Sequence, residues 1–297
     1  MTAIPLNGVL ALDKPVGPTS HDAVAAVRRA LHTRAVGHTG TLDPFASGLL
    51  LVCVGPATRL AEYITPLPKT YVATIRLGAA TDTDDHTGTV ISKSDAWREL
   101  SAEAVEQALA VQVGTTEQVP PAYSAKKVDG ERMYAVARRG GEVERKPVTV
   151  TIHAIRVLSM ELPDVVVEVE CGSGTYIRAI ARDAGEALGV GGHLTTLRRT
   201  RIGPHDVDRA VTMDGLGDEA AAVAAIIPPA ESVSHLARVE VDEHGRAELG
   251  FGRAVDGGAE LAEGTAVALV DQSTGALLAI GTAAGGRVRP RKVLAGG

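Results

Sequence analysis

The 297-residue chain places one acid, Asp43, inside the turn-rich run GHTGTLDPFASG at residues 37–48. Pro44 biases Asp43 toward an extended backbone and away from helix. Gly37, Gly40 and Gly48 permit tight bends and the close approach of another chain. A loop so shaped can hold a carboxylate against a bulky substrate, or it can simply close a turn; composition alone favours the turn. A second acidic run, TDTDDHTG at 81–88, suggests a metal loop. An EF-hand counted from Asp82 needs Glu at its twelfth position and finds Lys93, so a loop of Asx-turns is expected instead. Paired-carboxylate hydrolysis lacks a recognisable second acid, and neither a G-x-S-x-G elbow nor a Walker pattern is present. Cys53 and Cys171 lie in apolar contexts without metal spacing and read as reduced, buried thiols.

The elements around these residues follow from their periodicity. GVLALDKP at 8–15 reads as a buried strand ending in a Pro-Gly turn. Ser20 is placed to cap a helix running to about Leu31, with Val24, Val27 and Leu31 on one face. LLLVCV at 49–54 has the content of a central strand, and KTYVATIRL at 69–77 alternates as a strand should. A helix over Ala102–Val111 and strands over Val148–Leu158 and Val165–Glu170 follow. GSGTYIRAIARDAGEALG at 172–189 predicts a helix whose Tyr176, Ile177, Ile180, Ala184 and Leu188 share an apolar side, with Gly189 at its C-terminal end. Strands and helices without strict βαβ alternation indicate an α+β fold with a largely antiparallel sheet. The Ala-rich, acidic stretch 215–233 ends in Pro228-Pro229 and reads as an exit from that domain. From about Ser234, short strands between Gly turns suggest a small β-rich unit, giving domains at 1–233 and 234–297.

The chain is 45% hydrophobic and 22% charged, as ordinary globular proteins are. Its longest apolar runs, 49–54 and 220–227, fall far short of the roughly 18 residues of a membrane helix. MTAIPLNGVL lacks the pattern of a signal peptide, so a cytoplasmic location is expected. The net charge of −6 argues at first against a nucleic-acid partner. Residues 205–263, however, carry four Arg and thirteen acids, a net of −9; the remainder holds 26 basic and 23 acidic groups, a net of +3. Basic residues also cluster at Lys126, Lys127, Arg132, Arg138 and Arg139, at Arg198, Arg199 and Arg201, and at Arg287, Arg289, Arg291 and Lys292. Polyanion binding depends on such local patches rather than on the sum, although a solvated face is the commoner meaning of any one of them.

GHTGTLDPFASGLLLVCVG resembles the catalytic motif of the TruB family of tRNA pseudouridine synthases. LDKPVGPTSHD (12–22), KTYVATIRLG (69–78), PPAYSAKKVDGERMYAVARRG (120–140), CGSGTYIRAIARDAG (171–185) and GGHLTTLRRTRIG (191–203) resemble further motifs of that family, in the family's order. The tail from LGFGRAVDGG to RVRPRKVL is similar to a PUA-type RNA-binding domain, with less distinctive letters. The resemblance implies a pseudouridine-synthase fold with a PUA-like C-terminal domain. It also implies cofactor-free and metal-free isomerisation of the TΨC-loop uridine of tRNA, position 55. By resemblance Asp43 is the essential acid, either nucleophile on the sugar or base at its 2′ position. Arg178 is the arginine that pairs with it, which would depress its pKa by about 1–3 units. Tyr71 packs on the uracil and takes its C5 proton. His38 lies against the disordered loop bases, Tyr176 and Leu197 complete the pocket, and Lys14 belongs to a motif of mainly structural role. The T-stem-loop of tRNA is the implied partner. The short termini favour a stand-alone monomer over the RNA-guided relative that works with partner proteins. A tRNA-binding or tRNA-folding module without catalysis is the rival of a different class, and the intact Asp43 motif speaks against it.

Overall fold

The computed structural model describes residues 6–122, 127–128, 131–132, 146–258 and 260–294. The expected motif at 120–140 and the basic cluster Lys126–Arg139 fall outside them, apart from Pro120–Ala122 and two backbone fragments. Eight strands form the backbone of the large sheet: β1 (Gly8–Lys14), β2 (Val36–His38), β3 (Ser47–Val54), β4 (Lys69–Leu77), β5 (Gly114–Gln118), β6 (Val148–Glu161), β7 (Asp164–Cys171) and β8 (Gly192–Ile202). Seven of them lie in the order β1-β3-β8-β4-β7-β6-β5, and β2 pairs with β3. All of these pairings are antiparallel except β3–β8, which is parallel and registers only Ser47 with Arg198 and Gly48 with Arg199. The fold is α+β with a mixed, largely antiparallel sheet, as strands and helices without strict βαβ alternation predict.

The strands follow the apolar pattern of their sequence. In β4, Lys69, Tyr71, Ala73, Ile75 and Leu77 are buried while their neighbours are more exposed. β1 and β3 are apolar over 9–12 and 49–54 and buried there on both faces. Leu10, Leu12, Leu50 and Val52 pack against Val24, Val27 and Leu31 on helix α1 (Ser20–Ala30) and the turn that follows it. Val9, Ala11, Leu49 and Leu51 pack on the other face against Ala268, Val270, Leu277 and Ile280. Each fully buried Leu or Val contributes about 1.5–3 kcal/mol. Helix α2 (Ala102–Ala110) and helix α3 (Ile177–Ala187) cover the far half of the sheet. Ile177, Ile180, Ala181 and Ala184 share a core with Ile75, Val167 and Val169. Gly189 follows α3 with φ +70°, the left-handed turn its place predicts.

Two local expectations are corrected. Thr19, not Ser20, caps α1, in a reciprocal capping box with Asp22; Ser20 is buried and bonded elsewhere. Residues 215–233 are not an exit. Leu216 and Ala222 join the core beneath α1, and Ile226 and Ile227 pair antiparallel with Leu10 and Val9. A separate sheet follows, with strands β9 (Ala237–Val241), β10 (Val255–Asp256), β11 (Ala266–Asp271), β12 (Leu277–Ala284) and β13 (Arg287–Val293) in the order β9-β11-β12-β13-β10. Helix α4 (Glu243–Gly250) packs on it. Among the described residues no helix is long and apolar enough to cross a membrane.

Candidate active site

The site forms at the parallel joint of the sheet. Tyr71 on β4 is the cross-strand partner of Arg199 on β8, and Arg199 in turn partners Gly48 on β3. Gly48 has φ +105°, and a Cβ there would stand 2.2 Å from the Arg199 carbonyl oxygen. Only glycine lets β8 close against β3 at that rung. The preceding loop, 39–46, is then tied at several points. The Thr39 amide donates to Leu51 O (3.1 Å), the Gly17 amide to Pro44 O (2.8 Å) and the Ala46 amide to Asp43 O (3.1 Å). The Ser20 hydroxyl donates to Leu42 O (3.0 Å) and accepts from the Leu42 amide (2.8 Å).

A pocket of about 240 Å³ opens at this joint, walled by Thr39–Asp43, Thr65, Lys69, Tyr71, Gly172–Arg178, Leu197 and Arg199. Asp43 keeps 36% of its side-chain surface and pairs with Arg178, whose Nη2 lies 3.0 Å from Oδ2. Arg178 is buried at the first turn of α3, and its Nη1 also reaches Asp85 Oδ2 (3.1 Å) and Thr83 O (2.9 Å). The guanidinium fork is thus divided between two carboxylates. Asp85 is itself held by the Thr83 hydroxyl (2.9 Å), the Thr87 amide (3.0 Å) and the Thr87 hydroxyl (2.5 Å). One turn along α3, Arg182 meets Asp84 at 3.1 Å.

Burial reverses an expectation about charge. Burial pushes the Asp43 carboxyl above its ordinary range; the Arg178 guanidinium pulls it back, Asp85 raises it further and Lys14 lowers it. The net direction is upward, because burial outweighs the pull of the guanidinium expected to depress it. Burial likewise pushes the Tyr71 phenol up, against the nearby Arg199 guanidinium. It also pushes the Lys14 and Lys69 ammonium groups down to about 8.

The expected residues divide into two groups. Asp43, Tyr71, Tyr176, Arg178 and Leu197 converge on the pocket. His38 stands one strand away on β2, its Nδ1 accepting from the Gly40 amide (3.3 Å) and its ring edge-on to His21 at 5.9 Å. Lys14 is fully enclosed and donates to Pro15 O (2.8 Å) and Pro18 O (2.9 Å), so its geometry is that of a loop tie rather than a substrate ligand. The run 81–88 is the expected Asx-turn loop, and among the described residues no cluster of acids, His and Cys could hold a metal ion. Its second task, bracing α3 through Asp84 and Asp85, was missed. The signal was a pair of adjacent acids answering arginines spaced i, i+4. Gln118 was missed as well: its amide brackets the Tyr176 backbone, accepting from N–H (2.8 Å) and donating to C=O (3.1 Å).

Residues 28–177 match the model of the TruB family pseudouridylate synthase N-terminal domain, and residues 178–235 that of the tRNA pseudouridylate synthase B C-terminal domain. The chain is 44% identical over 306 residues to tRNA pseudouridine synthase B of Arthrobacter sp. (strain FB24), covering 98% of this chain and 97% of that one. It is 51% identical over 211 residues to tRNA pseudouridine synthase B of Burkholderia mallei, covering 71% and 69%. Among solved structures, a chain of a Cbf5-Nop10-Gar1 complex superposes with a TM-score of 0.76 at 31% identity, covering 98% of this chain and 85% of that one. Together with the pocket at the parallel joint, these matches show that the chain belongs to the TruB family of pseudouridylate synthases.

Proposed function

We propose that the chain converts the TΨC-loop uridine of tRNA, position 55, to pseudouridine, with Asp43 as the essential carboxylate. The relatives bear the name tRNA pseudouridine synthase B, and identity to them exceeds identity to the chain of the Cbf5 complex, which favours a stand-alone cytoplasmic enzyme without an obligatory protein partner. The observation that carries the reading is the Asp43–Arg178 pair in a pocket walled by Tyr71, Tyr176 and Leu197. Isomerisation breaks N1–C1′, turns the uracil and joins C5 to C1′. The C5 proton then leaves and its electron pair restores the C5–C6 double bond. No atom is gained or lost overall, so the reaction needs positioned groups and no redox partner. Asp43 is placed to act at the ribose, as nucleophile at C1′ or as base at the 2′ position. Tyr71 and Leu197 offer flat and apolar surfaces for the extruded base, whose removal from the stacked loop costs a few kcal/mol. The hydroxyl of Tyr71 is the proposed acceptor of the C5 proton. The domains are assigned as 1–233 and 234–297, the second engaging RNA in the manner of a PUA-type domain.

Unmodified tRNA carrying tritium at uridine C5 tests the reading. The wild-type chain should release one tritium per tRNA, and a substrate with U55 replaced should release none. Release that persists on the replaced substrate would overturn the site assignment. Tight binding with no release from either tRNA would favour the module without catalysis.

A further inference from the structure

The residues walling the pocket include one acid, Asp43, and three cations, Lys69, Arg178 and Arg199. Arg178 is matched by Asp43 and Asp85. Among the described residues neither Lys69 nor Arg199 has a carboxylate partner, although Lys69 is 6% exposed and Arg199 1%. The Arg199 guanidinium donates to Leu49 O (2.7 Å), Thr41 O (3.4 Å) and Gly40 O (3.2 Å). The Lys69 ammonium donates to Thr65 O (2.6 Å) and Leu67 O (2.7 Å). An ammonium has three donors, so one N–H of Lys69 remains for a further acceptor. Burial lowers this group to about 8, which leaves it a cation at neutral pH. A buried cation held only by carbonyl dipoles is costly, and an apolar side chain of similar volume often replaces a buried charge without loss of stability. Tying Thr65 to Leu67 gives no reason to keep a charge there. An anion entering the pocket does.

The proposed isomerisation makes such an anion. When N1–C1′ breaks, its electron pair leaves with the base, whether Asp43 attacks C1′ or takes the 2′ proton. The detached uracil holds that pair as negative charge spread over N1, O2 and O4. The ring becomes neutral again when C5 donates the pair to C1′. Lys69 stands two residues before Tyr71 on the buried face of β4, roughly 7 Å along the strand. It therefore borders the surface offered to the extruded base. We infer that Lys69, supported by the charge of Arg199, forms a cationic subsite for the detached uracil anion. The subsite stabilises charge that exists only between cleavage and rejoining, so it speeds the chemical step without tightening ground-state binding. The inference rests on the isomerisation proposed for this pocket.

Single-turnover conversion of the target nucleoside at saturating enzyme tests this, with tRNA carrying either uridine or 5-fluorouridine at position 55. Fluorine withdraws electron density, so the 5-fluorouracil anion depends less on an outside cation. Lys69→Met removes the charge and keeps a chain of similar volume. It should slow uridine conversion by about 10²-fold, the lower end of the range for one preorganised donor, with tRNA affinity within a few-fold of wild type. On 5-fluorouridine the same variant should lose less than about tenfold. Lys69→Arg restores a charge and should recover part of the uridine rate. Lys69→Gln keeps donors for the two carbonyls without the charge; it replaces Lys69→Met if thermal melting shows that variant unfolded, and should show the same dependence on substrate. Equal losses on the two substrates, or no loss on either, would overturn the inference and leave Lys69 a tie between Thr65 and Leu67. A loss confined to affinity would also overturn it, making a backbone phosphate the anion. Failure of the wild type to convert uridine would instead overturn the isomerisation itself, a distinct result visible before any variant is compared.

Discussion

The parallel joint and strand β13 handle charge in opposite ways. At the joint, Lys14, Lys69, Asp85, Arg178 and Arg199 are all buried, and each is bonded to named carbonyls or carboxylates. On β13, Arg287, Arg289 and Arg291 are exposed along one face, and Lys292 is bound to Glu62 and to Arg59 O. A buried charge stripped of its partner keeps its desolvation cost uncompensated, whereas exposed charges act through a field that salt screens within about 10 Å at 0.1 M. Substitutions at the joint should therefore alter the chemical step, and those on β13 should alter the salt dependence of binding.

Asp43→Asn should show the largest effect. It removes the charge but little volume, so product should fall below detection in a tritium-release assay while tRNA affinity stays within about tenfold. Turnover near the wild-type rate would remove Asp43 from the chemistry. Next comes Asp85→Asn, which releases one half of the Arg178 fork and should slow the chemical step by roughly 10²-fold through misplacement of Asp43. Its pH profile carries a sign. Activity that needs ionised Asp43 falls as pH drops through that group's pKa, which burial has raised. Asp85 raises it further, so deleting its charge should move the acid limb to lower pH even as the plateau drops. A limb that moves upward would show that Asp85 does not act on Asp43 by charge.

What was legible in the sequence was whatever repeats along a single element. The alternation of β4, the buried face of α1 and the apolar side of α3 were all visible because one face of each is buried. Pairings between distant segments were not. Ile226 and Ile227 looked like part of an exit because only β1, more than 200 residues away, completes their pairing. Ser20 looked like a cap because its partner, Leu42, belongs to another loop. Arg198, Arg199 and Arg201 read as one solvated cluster. A register shift between Arg199 and Arg201 breaks the two-residue period; Leu197 and Arg199 face inward, while Arg201 is left outside. The Asp43–Arg178 pair was expected from resemblance alone, since 135 positions separate the two and no local pattern joins them.

The smallest effect tests the other side of the comparison. Removing residues 234–297 outright would confuse binding with stability, because Ala268, Val270, Leu277, Ile280 and Leu294 share a core with Val9, Leu49 and Leu51. Substituting the exposed arginines avoids this. Lys292 is unsuitable, since it ties β13 to the turn at Arg59–Glu62. Arg287 is also engaged, donating to Ala254 O. Arg289 and Arg291 remain, two exposed side chains on one strand face, of which Arg291 donates to the Thr282 hydroxyl at a long 3.4 Å. Removing one arginine–phosphate interaction should flatten the plot of log affinity against log salt by about one. Arg289→Ala with Arg291→Ala should then bind tRNA more weakly at low salt, with a slope reduced by about two, and converge with wild type as salt rises. The single-turnover rate at saturating enzyme should be unchanged, because neither residue reaches the pocket. An unchanged slope would take this face of β13 out of the RNA interface, and a slowed chemical step would show that the two regions are coupled after all.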